Sequence, residues 1–240
     1  MSESIERQIV TMGGGGFSME PENPVMDDFI LSLARTRRPR VCFMAPMDSD
    51  SYLMRFYKAF AGRDCLPAHL SLFSRDGRDL EKFLVEQDVI YVGGGNTANM
   101  LAIWRVHGVD AILRKAWEGG TVLCGVSAGM NCWFEASCSD SFGPLAALKD
   151  GVGLLPGSAC PHYDGEVNRI PIYRVLVGNG ELPSGYAADD GAALYFKGTD
   201  LVEAIASRPG KKAYRVEKKD GRSIETELAT RVLSSNQQVE

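Results

Sequence analysis

Five short apolar runs punctuate the first half of the chain: "QIVTMGG", "RVCFMAP", "AHLSLF", "DVIYVGG" and "TVLCGVS". Between them lie stretches with helical spacing, "NPVMDDFILSLART", "SDSYLMRFYKAFAG", "DLEKFLVEQ" and "TANMLAIWRVHGVDAILRKAWEGG", the last reading as one long helix or two. A strand that is apolar on both sides must be covered on both sides, and helices between such strands supply the cover. The pattern predicts an α/β fold of three layers, α/β/α, with a mainly parallel central sheet. Asn23 is expected as N-cap of its helix, with Pro24 in the first helical position. After about Ser137 the strands shorten and Gly/Pro turns multiply, with a helix expected near "NRIPIYRVLVG". The C-terminal segment is β-rich, and its "KDG" has the chemistry of a hairpin turn.

A chain of 240 residues suffices for one well-buried domain, and neither a repeat nor a low-complexity linker divides it. The expected organisation is a single domain over 1–240: a core from about 8 to 206, a β-rich extension over 207–233 and a frayed tail over 234–240. The formal net charge of −5 and pI near 5.4 argue against nucleic acid as a partner, because phosphate binding needs a basic surface. "MSESIERQIV" lacks an apolar signal core and no run reaches transmembrane length, so no membrane association is expected. Six cysteines without CxxC pairing suit free buried thiols and a cytoplasmic location. Three histidines without HExxH give no metal site, and no cofactor is expected.

In an open parallel sheet, ligands bind at the carboxyl ends of the strands, where "GGGGF", "APMDS", "GGGNT" and "GVSAG" fall. Ser127 of "GVSAG" sits where the fifth strand meets a helix. A tight turn there thrusts the hydroxyl out of the sheet, and the N–H groups that follow can hydrogen-bond an oxyanion. The same residues suit a plain packing role, with Gly125, Ala128 and Gly129 letting the helix lie close on its strand. A nucleophilic serine needs a base. His69 falls in a strand and His107 in a helix, which suits structural roles; His162, in the loop "CPHYDGE", is the better candidate. "AADDGAAL" offers Asp189 and Asp190 as the carboxylate that would fix the imidazole, with Asp140 and Asp164 as rivals.

The glycine runs also admit a nucleotide reading. Gly93, Gly95 and Ala98 fit G-x-G-x-x-A, and "GGGGF" has Asp48 after the following strand, but neither run ends in GK[ST]. The preferred reading makes "GGGNT" a backbone donor to the oxyanion, with Gly95 as that donor.

Taken together, "YVGGGNTANML", "GVSAGMNCW", "PHYDGE" and "DDGAALYF" resemble, in order and spacing, the peptidase E and cyanophycinase family of serine peptidases. The resemblance runs from about Gly13 to Leu194. It implies a class I glutamine-amidotransferase-like fold, with serine on the elbow where the amidotransferases carry cysteine. By matching position it implies Ser127 as nucleophile, His162 as base, Asp190 as third member, and Gly95 and Ala128 as oxyanion donors. Peptidase E cleaves dipeptides with an N-terminal aspartate, held by an arginine downstream of the histidine. Arg169 is the match here, with Arg174 next, and Asn96 joins it as a substrate-binding candidate.

The function expected is a serine peptidase that hydrolyses small peptides, including dipeptides with N-terminal Asp, through a Ser-His-Asp triad and an acyl-enzyme. A homodimer stays open as an assembly. Two other readings stand beside it: an amidase or esterase on a non-peptide substrate, and a non-catalytic small-molecule or nucleotide-binding protein. Acidic Glu166, Asp164 and Asp189 would suit a basic peptide, as Arg169 suits an acidic one.

Overall fold

The computed structural model describes residues 5–46 and 49–234; Asp48 and residues 235–240 of the expected tail lie outside them. In chain order the first half runs β1 (Gln8–Met12), a single turn α1 (Gly16–Met19), α2 (Val25–Ser32), β2 (Arg40–Met44), α3 (Asp50–Phe60), β3 (Leu66–Leu70), α4 (Leu80–Val85), β4 (Val89–Val92), α5 (Thr97–Val106), α6 (Val109–Glu118) and β5 (Val122–Val126). There follow α7 (Ala128–Asn131), β6 (Phe134–Ser139), β7 (Ala146–Leu148), β8 (Leu155–Cys160), α8 (Arg169–Asn179), β9 (Gly185–Ala188), β10 (Ala192–Lys197), β11 (Asp200–Ala206), β12 (Ala213–Lys219), β13 (Arg222–Glu227) and β14 (Thr230–Val232).

The central sheet has eight strands in the order β14-β11-β10-β1-β5-β4-β2-β3. Its β1, β5, β4, β2 and β3 are parallel, as the alternation of strands and helices requires. Successive side chains divide between two cores. Ile9, Ile90 and Leu123 pack with Trp104 and Leu113 on one face, while Val10, Tyr91 and Cys124 pack with Phe17, Phe56 and Phe60 on the other. That division is why these strands read as unbroken apolar runs. β10 closes against β1 antiparallel, with Gln8 opposite Lys197 and Met12 opposite Ala193. Pro67 sits in β3 at the far edge, where a missing N–H interrupts no inner ladder.

The long helical stretch is two helices, broken at Gly108, whose φ of 66° is left-handed. Pro24, not Asn23, occupies the N-cap of α2, and the helix begins at Val25. The Asn23 amide instead donates to the Ser207 carbonyl at 3.0 Å, so it is committed elsewhere.

The later strands form a second sheet of six, ordered β13-β12-β9-β8-β6-β7. Helix α8 covers it, burying Tyr173, Leu176 and Val177 beside Tyr163 and Leu182. β12 and β13 join through Asp220 and Gly221, with φ of 51° and 73°, the type I′ turn expected of "KDG". The chain then returns to the central sheet, where β14 pairs with β11. Among the described residues, no helix is long and apolar enough to cross a membrane. All six cysteines are buried and unbridged.

One buried charge has a measurable consequence for stability. Asp27 of α2 is 1% exposed; its Oδ1 accepts from the Tyr91 hydroxyl at 3.2 Å, and Arg63 lies 3.6 Å from its other oxygen. Burial outweighs both partners and raises its pKa to about 7. The folded chain therefore holds a proton that the unfolded chain releases near pH 4. Stability from this group is greatest at acid pH and falls by about 1.4 kcal/mol per unit as pH rises through roughly 4 to 7. Asp27→Asn is expected to flatten that slope, which unfolding midpoints from pH 4.5 to 7.5 would read; parallel profiles for the two proteins would refute it.

Candidate active site

Ser127 follows β5 directly, on the N-cap of the short α7, with φ 59° and ψ −111°. Among the described residues only three besides glycine have positive φ: Ser127, His162 at 51°, and the hairpin residue Asp220. Such backbone is strained in residues with a Cβ, and two of these three line one cavity. The elbow also needs its glycines. A Cβ at Gly125 would overlap the Gly129 backbone, and one at Gly129 would overlap the Val92 carbonyl. Close packing and the strained serine are thus parts of one turn rather than rival explanations.

The cavity has a volume of about 290 Å³ and is lined by Ser18, Met19, Ser49, Tyr52, Arg55, Gly94, Gly95, Val126, Ser127 and His162. His162 is positioned by the loop after β8, where its N–H donates to the Gly13 carbonyl at 3.3 Å. Its Nδ1 lies 2.6 Å from Asp190 Oδ1. That contact directs Nε2 away from the carboxylate, leaving it free to exchange a proton with a neighbouring group. The imidazole, foremost, holds the Asp190 carboxyl below the ordinary range despite its partial burial.

Asp190 fits because two glycines leave it room. A Cβ at Gly14 would overlap its Oδ1, and a Cβ at Gly165 would overlap its Oδ2. Its N–H donates to Asp164 Oδ1 at 2.9 Å, and Asp164 also pairs with Lys211. Asp189 points elsewhere: its Oδ2 accepts from the Lys212 N–H at 3.0 Å, and burial, helped by the charge of Asp164, raises its pKa to about 6. The geometry thus brings Asp190, not Asp189, Asp140 or Asp164, to the imidazole of His162.

The "GGGNT" loop passes over Ser127, for a Cβ at Gly94 would stand 3.3 Å from that of Ser127. The Gly94 N–H is already engaged, donating to the Tyr52 hydroxyl at 2.9 Å. The exposed Gly95 is the next donor along the loop. Ala128 opens α7, and the first N–H groups of a helix have no partner within it. Asn96 caps α5 by accepting from the Asn99 N–H at 2.9 Å and donates to the Ser141 carbonyl at 2.9 Å; it does not line the cavity.

Arg169 is also absent from the cavity. It is 4% exposed, donating to Glu166 at 2.7 Å and to the Cys138 carbonyl at 3.1 Å. Arg174 pairs with Glu225 at 2.7 Å on the outside of α8. The acidic residues Glu166, Asp164 and Asp189 likewise face neighbours rather than the cavity. His69 contacts the Tyr57 hydroxyl at 2.7 Å, and His107 ends α5. The run Gly13–Gly16 packs on protein: Gly13 abuts the carbonyls of Ala188 and Asp189, and Gly16 the Tyr91 hydroxyl. Among the described residues no cluster of three His, Cys, Asp or Glu is placed to hold a metal.

Tyr52 and Arg55 were not anticipated. Their signal lay in "SDSYLMRF": a helix entered from the carboxyl end of β2 carries its first two turns beside the ligand-binding edge. Tyr52 and Arg55 are three apart, on one helix face.

Comparison with known proteins fits this geometry. The model of peptidase family S51 matches residues 9–204. Uncharacterized peptidase YgaJ of Bacillus subtilis (strain 168) is 55% identical over 212 residues, covering 88% of this chain and 92% of that one. Peptidase E of Streptomyces coelicolor is 32% identical over 120 residues, 48% of this chain and 47% of its own. A crystal structure of a peptidase from an acI-B1 Actinobacterium shares the fold, with a TM-score of 0.69 at 14% identity over 95% of this chain and 96% of that one. The chain belongs to peptidase family S51 and is a serine-type peptidase.

Proposed function

We propose that the protein hydrolyses small peptides through a triad of Ser127, His162 and Asp190. The observation that carries this reading is the 2.6 Å contact of His162 Nδ1 with Asp190 Oδ1, on an imidazole that shares a cavity with a strained serine. Ser127 Oγ attacks the scissile carbonyl carbon while His162 Nε2 takes its proton. The proton passes to the leaving amine as the C–N bond breaks, and water then cleaves the acyl-enzyme by the same route in reverse. The N–H groups of Gly95 and Ala128 hydrogen-bond the oxyanion. Asp190 keeps the imidazole in the tautomer that accepts at Nε2 and steadies its charged form. An N-terminal aspartate is not read by Arg169 in this arrangement, because that side chain is buried against Glu166.

The test combines a serine-directed phosphonate with a dipeptide panel. The phosphonate is expected to attach to Ser127, located by peptide mapping, and to abolish hydrolysis of dipeptides. Labelling of any other residue, or hydrolysis that survives full labelling, would overturn the assignment. Activity confined to simple esters and amides would point to the non-peptide reading instead.

A further inference from the structure

Among the described residues that line the cavity holding Ser127, Arg55 is the one that carries a permanent charge. Among the described residues, no carboxylate lines the cavity and Arg55 forms no ion pair. Its guanidinium lies 4.8 Å over the Tyr52 ring and donates through Nη1 to the Ser18 carbonyl at 3.1 Å. Those two contacts fix the plane of the group while leaving most of its five donors unused. The same tyrosine holds the Gly94 N–H, so the orientation of the guanidinium is tied to that of the glycine loop. Arg55 also lines a groove of about 620 Å³ with Pro21, Glu22 and Lys58, so it stands where the cavity meets the outer groove.

A guanidinium so oriented beside hydroxyl groups, with no ion pair among the described residues, is a site for a carboxylate, which it meets with two parallel hydrogen bonds. We propose that Arg55 binds the free C-terminal carboxylate of the substrate, so that the enzyme measures its peptides from the C-terminus. This rests on the peptidase reading of the same cavity. A residue of extended chain spans about 3.5 Å, so a dipeptide carries its terminal carboxylate one residue from the scissile carbonyl. A cavity of about 290 Å³ is at the small end of ligand sites and suits a substrate of that length. An internal peptide bond offers no charge at this point, and a longer chain would leave Arg55 unpaired against a neutral amide.

The experiment compares Ala-Ala and Asp-Ala with their C-terminal amides, on wild type, Arg55→Ala and Arg55→Lys. Wild type is expected to prefer each free acid over its amide by about 10–100-fold in kcat/KM, chiefly through KM, the range of one charged hydrogen-bonded pair. Arg55→Ala is expected to lose that preference, its acid-to-amide ratio in kcat/KM falling to about one, and Arg55→Lys to recover part of it. Equal cleavage of acid and amide by wild type, or a preference that survives in Arg55→Ala, overturns the proposal. So does an Arg55→Ala defect confined to Asp-Ala and its amide, which assigns the guanidinium to an acidic side chain. Titration calorimetry on Ser127→Ala, with and without Arg55→Ala, reads the same preference in binding. If wild type cleaves none of the four, a binding preference that vanishes with Arg55→Ala upholds the carboxylate site and rejects the peptidase reading, whereas equal binding rejects the site itself.

Discussion

Replacing Ser127 by alanine is expected to lower kcat by about 10⁶-fold and to leave the protein folded. In the proposed triad, losing the nucleophile costs about as much as losing the whole unit. The structure explains why folding should survive. The hydroxyl forms no hydrogen bond of the elbow, which is held by the Ser127 N–H to the Met12 carbonyl at 3.1 Å and by Met130 and Asn131 donating to the Ser127 carbonyl. Alanine keeps the Cβ that packs against Gly94. Steady-state hydrolysis of dipeptides, with a thermal melt on the same preparation, decides the matter. A melting temperature near wild type with activity reduced only a few-fold would remove Ser127 from the chemistry.

The second large effect is expected at the carboxylate and at the glycine that makes room for it. Asp190→Asn should cost about 10⁴-fold in kcat, because an amide no longer favours the tautomer that accepts at Nε2 and cannot offset a charged imidazole. Gly14→Ala is the more discriminating variant. It leaves every polar group in place, yet its methyl would occupy the position of Asp190 Oδ1 and push the carboxylate off His162. Since Gly14 does not have positive φ, the substitution acts through space rather than backbone strain. A loss approaching that of Asp190→Asn is expected, with the acidic limb of the kcat/KM pH profile altered in both. Asp189→Asn serves as the control, since its carboxylate serves the Lys212 N–H; its kcat should stay within a few-fold of wild type. If Asp189→Asn were the more damaging, the acid would have to be reassigned.

The central sheet was legible because its strands are apolar on both faces and the helices between them are long enough to show their periodicity. The second sheet was not. Contrary to the expected shortening, β6 and β8 are as long as the central strands, but β6, β7, β8 and β9 are rich in small and polar residues, and such composition says that they pair without saying with which sheet. Ser127, His162 and Asp190 were legible as a combination of motifs, each of which is ordinary alone. Arg169 failed as a cavity residue because position in sequence fixes its place near the start of α8 but not which way the side chain leaves. It turned inward to Glu166 and the Cys138 carbonyl. The run "GGGGF" was read as a possible nucleotide loop, since glycine marks a close approach without naming what approaches; here the approaching group is the Asp190 carboxylate.

The pairing of β1 with β10 places the order of synthesis in conflict with the order of assembly. Residues 8–12 leave the ribosome among the first, but their partners at 193–197 emerge only in the final quarter of the chain. Until then the strand at the middle of the sheet has an open edge, and non-local pairing of this kind is slow to form. Asp190, which bridges to Gly14 at the same seam, arrives with that partner strand. A nascent chain long enough to display the serine elbow therefore still lacks the carboxylate that orients His162. On the proposed triad, a chain truncated before Asp190 is expected to show no hydrolysis, because His162 then has no carboxylate to orient it.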